Sequence, residues 1–212
     1  NLTVLSAELN NIDLAEEEEH IRFLRNQKQP EDISKCPSCQ NLVFKEFFSP
    51  KHCIKKENDY GEYSPQVAGG RIFPLNDNEL LLSVGDFKYR DHAQDNTNIY
   101  GKILKINIQT KEFEIISMGH RNPQGLFYNK EHDMIITTEH GPVGGDEINI
   151  FNLSKSKSIE NFGWPISSYG QHYNNDYNQY DKAPLHKSHK DYGFNEPILQ
   201  YTPAIGISEI IH

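Results

Sequence analysis

Clustered positive charge is missing from this 212-residue chain, which sets 21 Lys and Arg against 30 Asp and Glu for a formal net charge of −9. A phosphate-backbone partner needs grouped Lys and Arg, so the composition argues against nucleic-acid binding. No apolar run approaches the roughly 18 residues of a membrane-spanning helix, and no signal peptide is visible. Sustained helical periodicity is absent after residue 30, which argues against α/β crossovers. The chain also lacks an initial methionine and opens in a strand-like run over residues 2–9, so it reads as a processed or excerpted piece.

Cysteine is scarce, at Cys36, Cys39 and Cys53 only. With His52, the pattern C-x2-C-x12-H-C offers four zinc ligands, because thiolate and imidazole suit tetrahedral zinc. One disulfide plus a spare thiol accounts for the same residues in an oxidising compartment. These cysteines mark residues 30–65 as an insertion-like segment.

What the chain does contain is short strands. Residues 2–9 and 42–48 alternate or run apolar, and residues 15–26 carry helix-favouring residues with an acidic start that complements a helix dipole. That acidic stretch reads as a solvated helix or loop and is assigned no chemistry. Residues 71–75 and 79–85 flank Asn76-Asp77-Asn78, and residues 100–108 and 111–118 flank Gln109-Thr110, each a hairpin signal. Residues 86–98 form a polar loop long enough to be functional or mobile. Strands at about ten-residue spacing with turns between them indicate an all-β sandwich, barrel or propeller.

The densest stretch spans residues 120–170. Two apolar-alternating segments, 126–128 and 134–138, are separated by the polar tip at 129–133. Arg121 and Asn122 precede the first, while Glu139, His140, Gly141, Pro142, Asp146 and Glu147 follow the second, so a rigid sheet would present both groups from loops. Residues 172–192 are rich in Asn, Tyr, Asp, His and Lys with few aliphatics, which reads as a long polar surface loop without a core of its own, with histidines and tyrosines that line a sugar pocket as the functional alternative.

The strings RNPQGL, EHGP, DEIN, GWP and SYG in that order resemble the glucose/sorbosone dehydrogenase family. The likeness extends to AGGRIF at 68–73, LLSVGD at 81–86, IYGKILKIN at 99–107 and EPILQYTPAIGIS at 196–208, and covers roughly residues 66–208. The resemblance implies a six-bladed β-propeller with pyrroloquinoline quinone and calcium. Six blades of four strands need on the order of 300 residues or more, so residues 1–212 are expected to form a partial propeller domain of about three to four blades. It also implies a periplasmic or secreted protein, a small sugar substrate and an external electron acceptor.

Carried over residue by residue, the family's quinone-contacting Arg-Asn pair falls on Arg121 and Asn122. An arginine suits a polycarboxylate because its planar fork bonds carboxylate bidentately; a blade-closing salt bridge is the structural alternative. The family's calcium carbonyls fall on Gly141 and Pro142, and a second calcium on Glu147 and the Phe162 carbonyl. Tight-turn glycines, with Asp146 and Glu147 capping backbone, are the alternative there. One departure matters for chemistry: the family's general-base histidine falls on Val67, which has nothing to ionise. A substitute must come from elsewhere, with His120, His140 and His92 nearest by motif, and it must face the substrate. Two functions therefore stand side by side. One is quinone-dependent oxidation of an aldose or related sugar alcohol, and the other is a catalytically silent propeller that binds carbohydrate or protein.

Overall fold

A computed structural model of the chain describes residues 4–6, 45–50, 57–61, 66–154, 158–174 and 181–210. The chain divides into two compact units, residues 1–53 and 54–212. In the first, strand β1 (Val4–Ser6) pairs antiparallel with β2 (Lys45–Phe48). The expected helix at 15–26 and the residues Cys36, Cys39, His52 and Cys53 lie outside the described residues.

The second unit is built from two meanders. Strands β3 (Gly69–Asn76), β4 (Glu79–Val84), β5 (Lys102–Asn107) and β6 (Phe113–Met118) follow one another antiparallel. The short β10 (Glu160–Asn161) adds parallel to the outer edge of β6. Next come β7 (Pro123–Asn129), β8 (Met134–Glu139) and β9 (Asp146–Asn152), with β11 (Leu199–Tyr201) antiparallel on β9. The first strands of the two sheets, β3 and β7, lie against each other. Successive four-stranded meanders with neighbouring first strands are the arrangement of propeller blades.

Asparagine closes three of the hairpins. The Asn76 side-chain oxygen accepts from the Asn78 N–H at 2.8 Å. Asn107 accepts from Gln109 and Thr110, both at 2.9 Å, and Asn129 accepts from His132 at 3.1 Å. Each side chain imitates a backbone turn, which is why the expected hairpins form where the sequence places them.

The sheets bury a common core of Leu81 and Ile103 from one and Leu126, Ile135 and Phe151 from the other, with Phe162 beside them. Each of these side chains contributes roughly 1.5–3 kcal/mol through the area it removes from water. Strand β4 shows no polar alternation because it is shielded along its whole length. On its second face Leu82 pairs with Leu104 and Leu80 with Ile106, all buried.

Two readings of the sequence need correction. Asp146 and Glu147 were expected on a loop but open strand β9, and Glu139 ends strand β8. The loop is only residues 140–145. The polar stretch 172–192 also does more than cover the surface. Its residues Ala183 and Leu185 pack against Ala93 and Trp164 as a small second core. Two aliphatics suffice there because the large indole supplies most of the apolar area.

Candidate functional site

At the ends of β3, β4, β5 and β7 four backbone segments are stitched together. Gly85 donates to the Ala68 carbonyl at 2.8 Å, Phe87 to the Val67 carbonyl at 3.1 Å, and Asp86 to the Arg121 carbonyl at 2.9 Å. Gly101 donates to Gly85 at 3.0 Å, and the Asn122 side chain accepts from Gly69 at 3.1 Å. A Cβ on Gly85 would stand 2.0 Å from the Val67 carbonyl oxygen, so this crossing admits glycine alone.

A cleft of about 710 Å3 opens over this crossing, lined by Val67, Asp86, Arg90, Arg121, Asn122 and Trp164, with Lys88, Tyr60 and Tyr173 at its sides. Both guanidinium groups lie near the Trp164 ring, Arg121 at 5.4 Å and Arg90 at 5.9 Å from its centroid. The short helix α1 (Arg90–Ala93) that carries Arg90 is held from beneath by Lys102. The fully buried Lys102 ammonium donates to the carbonyls of Tyr100 at 2.6 Å, His92 at 2.7 Å and Ala93 at 3.1 Å. Burial pulls its pKa down to about 7.

Asp86 forms the floor of the cleft, and its residue is 1% exposed. One carboxylate oxygen accepts the Lys88 N–H at 2.8 Å and the other accepts the Trp164 indole N–H at 2.6 Å. Burial pushes its pKa up to about 6, against the opposing pull of Arg121, the two hydrogen bonds and Arg90.

The Arg121 guanidinium reaches the other way as well, donating to the carbonyls of His140 at 3.0 Å and Gly141 at 2.7 Å. The Tyr173 hydroxyl donates to the Pro142 carbonyl at 3.2 Å. Asp146 caps backbone: one oxygen accepts from Gly141 at 3.1 Å, and the other accepts from Ile205, Gly206 and Ile207 at 3.0, 2.8 and 3.3 Å. Glu147 is buried facing the buried His189, at 3.3 Å and without hydrogen-bond alignment. Burial raises the Glu147 carboxyl above its ordinary range. Burial alone would lower His189, but Glu147 outweighs it and the net shift is upward. Sequence reasoning raised the histidines of this polar stretch only as pocket-lining candidates and missed the pairing of His189 with Glu147, which no motif marks.

Two of the oxygens expected to hold calcium are therefore already engaged. A guanidinium sits on the Gly141 carbonyl, a phenol on the Pro142 carbonyl, and an imidazole faces Glu147. Among the described residues no group of three or more His, Cys, Asp or Glu side chains is placed to hold a metal ion. As arranged, these residues do not fit calcium, which needs six or more converging oxygens at about 2.3–2.6 Å. Phe162 lies under this region in the core, its ring 5.0 Å from that of His120.

The quinone fares better. Arg121, Arg90 and Lys88 line the cleft together with one carboxylate among the described residues, and Trp164, Tyr60 and Tyr173 add flat apolar surface. That donor set suits a planar polyanion.

None of the three candidate histidines lines the cleft. His92 on α1 lies between the rings of Tyr89 and Tyr100, at 5.7 and 5.8 Å. His140 lines a separate small pocket that shares Arg121 and Trp164 with the cleft. His120 is completely buried, bonded to Glu139 at 3.0 Å and Ser117 at 2.8 Å. Glu139 also accepts from the Arg121 N–H at 2.8 Å and from Asn149 at 2.9 Å. Burial would raise its pKa, but His120 and these donors outweigh it and the carboxyl is held below its ordinary range.

The meanders, with a cleft over their first strands, define part of a β-propeller. The glucose/sorbosone dehydrogenase family model matches residues 50–212, and the chain belongs to that family. It is 30% identical over 153 residues to the aldose sugar dehydrogenase YliI of Escherichia coli strain K12, covering 66% of this chain and 38% of that protein. To quinoprotein glucose dehydrogenase B of Acinetobacter calcoaceticus it is 30% identical over 116 residues, or 49% of this chain and 23% of that protein. A crystal structure of a glucose dehydrogenase superposes with a TM-score of 0.59 at 27% identity, covering 78% of this chain and 46% of the other. The chain thus spans less than half the length of each of these relatives. No helix among the described residues is long and apolar enough to cross a membrane.

Proposed function

We propose that this chain carries part of the site of a quinone-dependent sugar dehydrogenase, in which pyrroloquinoline quinone and an aldose or related sugar alcohol meet in the cleft above Asp86. The observation that carries the reading is the convergence of Arg121, Arg90 and Lys88 with Trp164 on one cleft. When bound, the quinone supplies the two-electron acceptor. Arg121 and Arg90 bind and orient its carboxylates, while the Trp164 ring, already flanked by both guanidiniums, excludes water from one side. Asn122 holds the start of β3 in place through Gly69 and so fixes one wall. Family membership and the sugar dehydrogenase activities for which YliI and quinoprotein glucose dehydrogenase B are named support this reading. An external electron acceptor and a periplasmic or secreted location belong to it on the family resemblance alone. So does calcium, whose binding here requires Arg121 to leave the Gly141 carbonyl.

A second reading, a recognition propeller without turnover, is favoured by Val67 and by the placement of all three candidate histidines away from the cleft. One titration separates them. The intact protein receives the quinone with and without calcium, followed by visible absorbance, and then a panel of aldoses. Binding followed by reduction is expected; binding without reduction selects the second reading, and absence of binding overturns the first.

A further inference from the structure

Oxidising an alcohol requires a group that takes the hydroxyl proton, and the residue in the resembling position is an aliphatic one. Among the described residues lining the cleft, Asp86 is the one carboxylate, and no histidine is present. We propose that Asp86 itself is the proton acceptor of this site, taking over the part that Val67 cannot play. The proposal rests on the quinone-dependent reading above.

Position 67 explains why the substitution is structurally feasible. Val67 has φ of 60°, in the left-handed region that a β-branched side chain avoids. Such a residue costs about 1–2 kcal/mol of strain and persists only where its surroundings dictate the conformation. Here the strained peptide holds the loop after β4: the Val67 carbonyl binds the Phe87 N–H, and the Ala68 carbonyl binds the Gly85 N–H. These two bonds bracket Asp86. Strain at a residue without chemistry of its own thus serves the placement of the carboxylate beside it.

Each Asp86 oxygen keeps a lone pair after its single hydrogen bond, to Lys88 N–H or to the Trp164 indole. The charged groups that face Asp86 are the guanidiniums of Arg121 and Arg90, and the Lys102 ammonium of β5 also feels its charge. Burial prevails over the guanidiniums and places its pKa at about 6. Such a carboxylate is ionised at neutral pH yet basic enough to accept a proton. In the step itself, Asp86 takes the hydroxyl proton as the C–H bond on the same carbon breaks and its electron pair leaves as hydride to the quinone oxidant. A C=O bond forms and the sugar loses two electrons. Asp86 then passes its proton on, so that quinone becomes quinol and the carboxylate is restored.

Trp164 is the one tryptophan in these 212 residues and donates its indole N–H to Asp86, so its emission reads the ionisation directly, without any cofactor. The test uses the intact protein, with the Trp164 signal taken as the emission lost in Trp164→Phe. The expected wild-type result is a transition centred near pH 6, absent in Asp86→Asn and shifted but present in Asp86→Glu. With quinone added, Asp86→Asn should bind it at least as tightly, because a negative charge has left a cationic cleft. It should oxidise aldose about 100-fold or more slowly, and the acid limb of the wild-type rate profile should share the emission midpoint. Three results would overturn the proposal: no wild-type transition between about pH 5 and 7, turnover by Asp86→Asn within about threefold of wild type, or an acid limb with a different midpoint. A wild type that binds no quinone removes the functional reading and the proposal with it. Loss confined to Asp86→Asn turnover leaves both standing.

Discussion

Asp86 and Glu139 are both buried carboxylates, 1% and 4% exposed, close to the same Arg121. Glu139 sits in a sealed network where His120, Asn149 and the Arg121 N–H all donate to it. Asp86 lies under an open cleft with one donor on each oxygen. The first is held low in pKa and the second is raised to about 6. The difference teaches that burial alone assigns no role. The number of donors decides whether a buried carboxylate serves as a structural anchor or keeps a lone pair for chemistry.

The largest expected effect comes from the sealed side. Glu139→Ala strands His120, Asn149 and the Arg121 N–H without an acceptor, and should cost about 3–5 kcal/mol in urea denaturation of the intact protein. A loss below about 1 kcal/mol would mean that the network is not the anchor described.

On the open side the sign is different. Asp86 has a folded pKa of about 6 against an ordinary 3.8, so the folded state holds its proton over a wider range. Its contribution is fully present below the unfolded value and is lost as pH rises through about 6. Between pH 4 and 7 the wild type should therefore lose up to about 3 kcal/mol relative to Asp86→Asn. Denaturation midpoints measured at both pH values check this, and a constant difference between the two proteins would contradict it.

A smaller effect sharpens the role of position 67. Val67→Asn, which tolerates the left-handed conformation, should gain about 1 kcal/mol by thermal unfolding while the Trp164 emission midpoint stays in place. A moved midpoint would show that the side chain, and not the strained backbone, sets Asp86. The smallest effect belongs to the rim, where Arg71 meets Glu209 at 3.0 Å with both side chains more than a third exposed. Glu209→Gln should change stability by less than about 0.5 kcal/mol, and more than that would mean the pair is less screened than its exposure implies.

Much of the fold was legible beforehand. Asn76, Asn107 and Asn129 end apolar segments with side chains that close turns, so the hairpins at 69–84, 102–118 and 123–139 follow from local chemistry. Strand β9 was hidden because Asp146 and Glu147 look like loop residues. Only their pairing with Tyr201 and Glu139 shows them to be in a ladder. The burial of Ala183 and Leu185 was equally hidden, since their partners Ala93 and Trp164 are distant in sequence.

At the site, the string LLSVGD placed Asp86 after a strand, and Val67 was visible as a residue without a proton to move. The sequence determined the blade hairpins, the family and the missing histidine, because turn chemistry and side-chain identity are local properties. The tertiary structure decided which ionisable group faces the cleft. It turned His120 into the core, tied Arg121 to the Gly141 carbonyl and left Asp86 under the opening. Those outcomes depend on burial and on donors brought from other strands, and neither quantity exists until the sheets have packed.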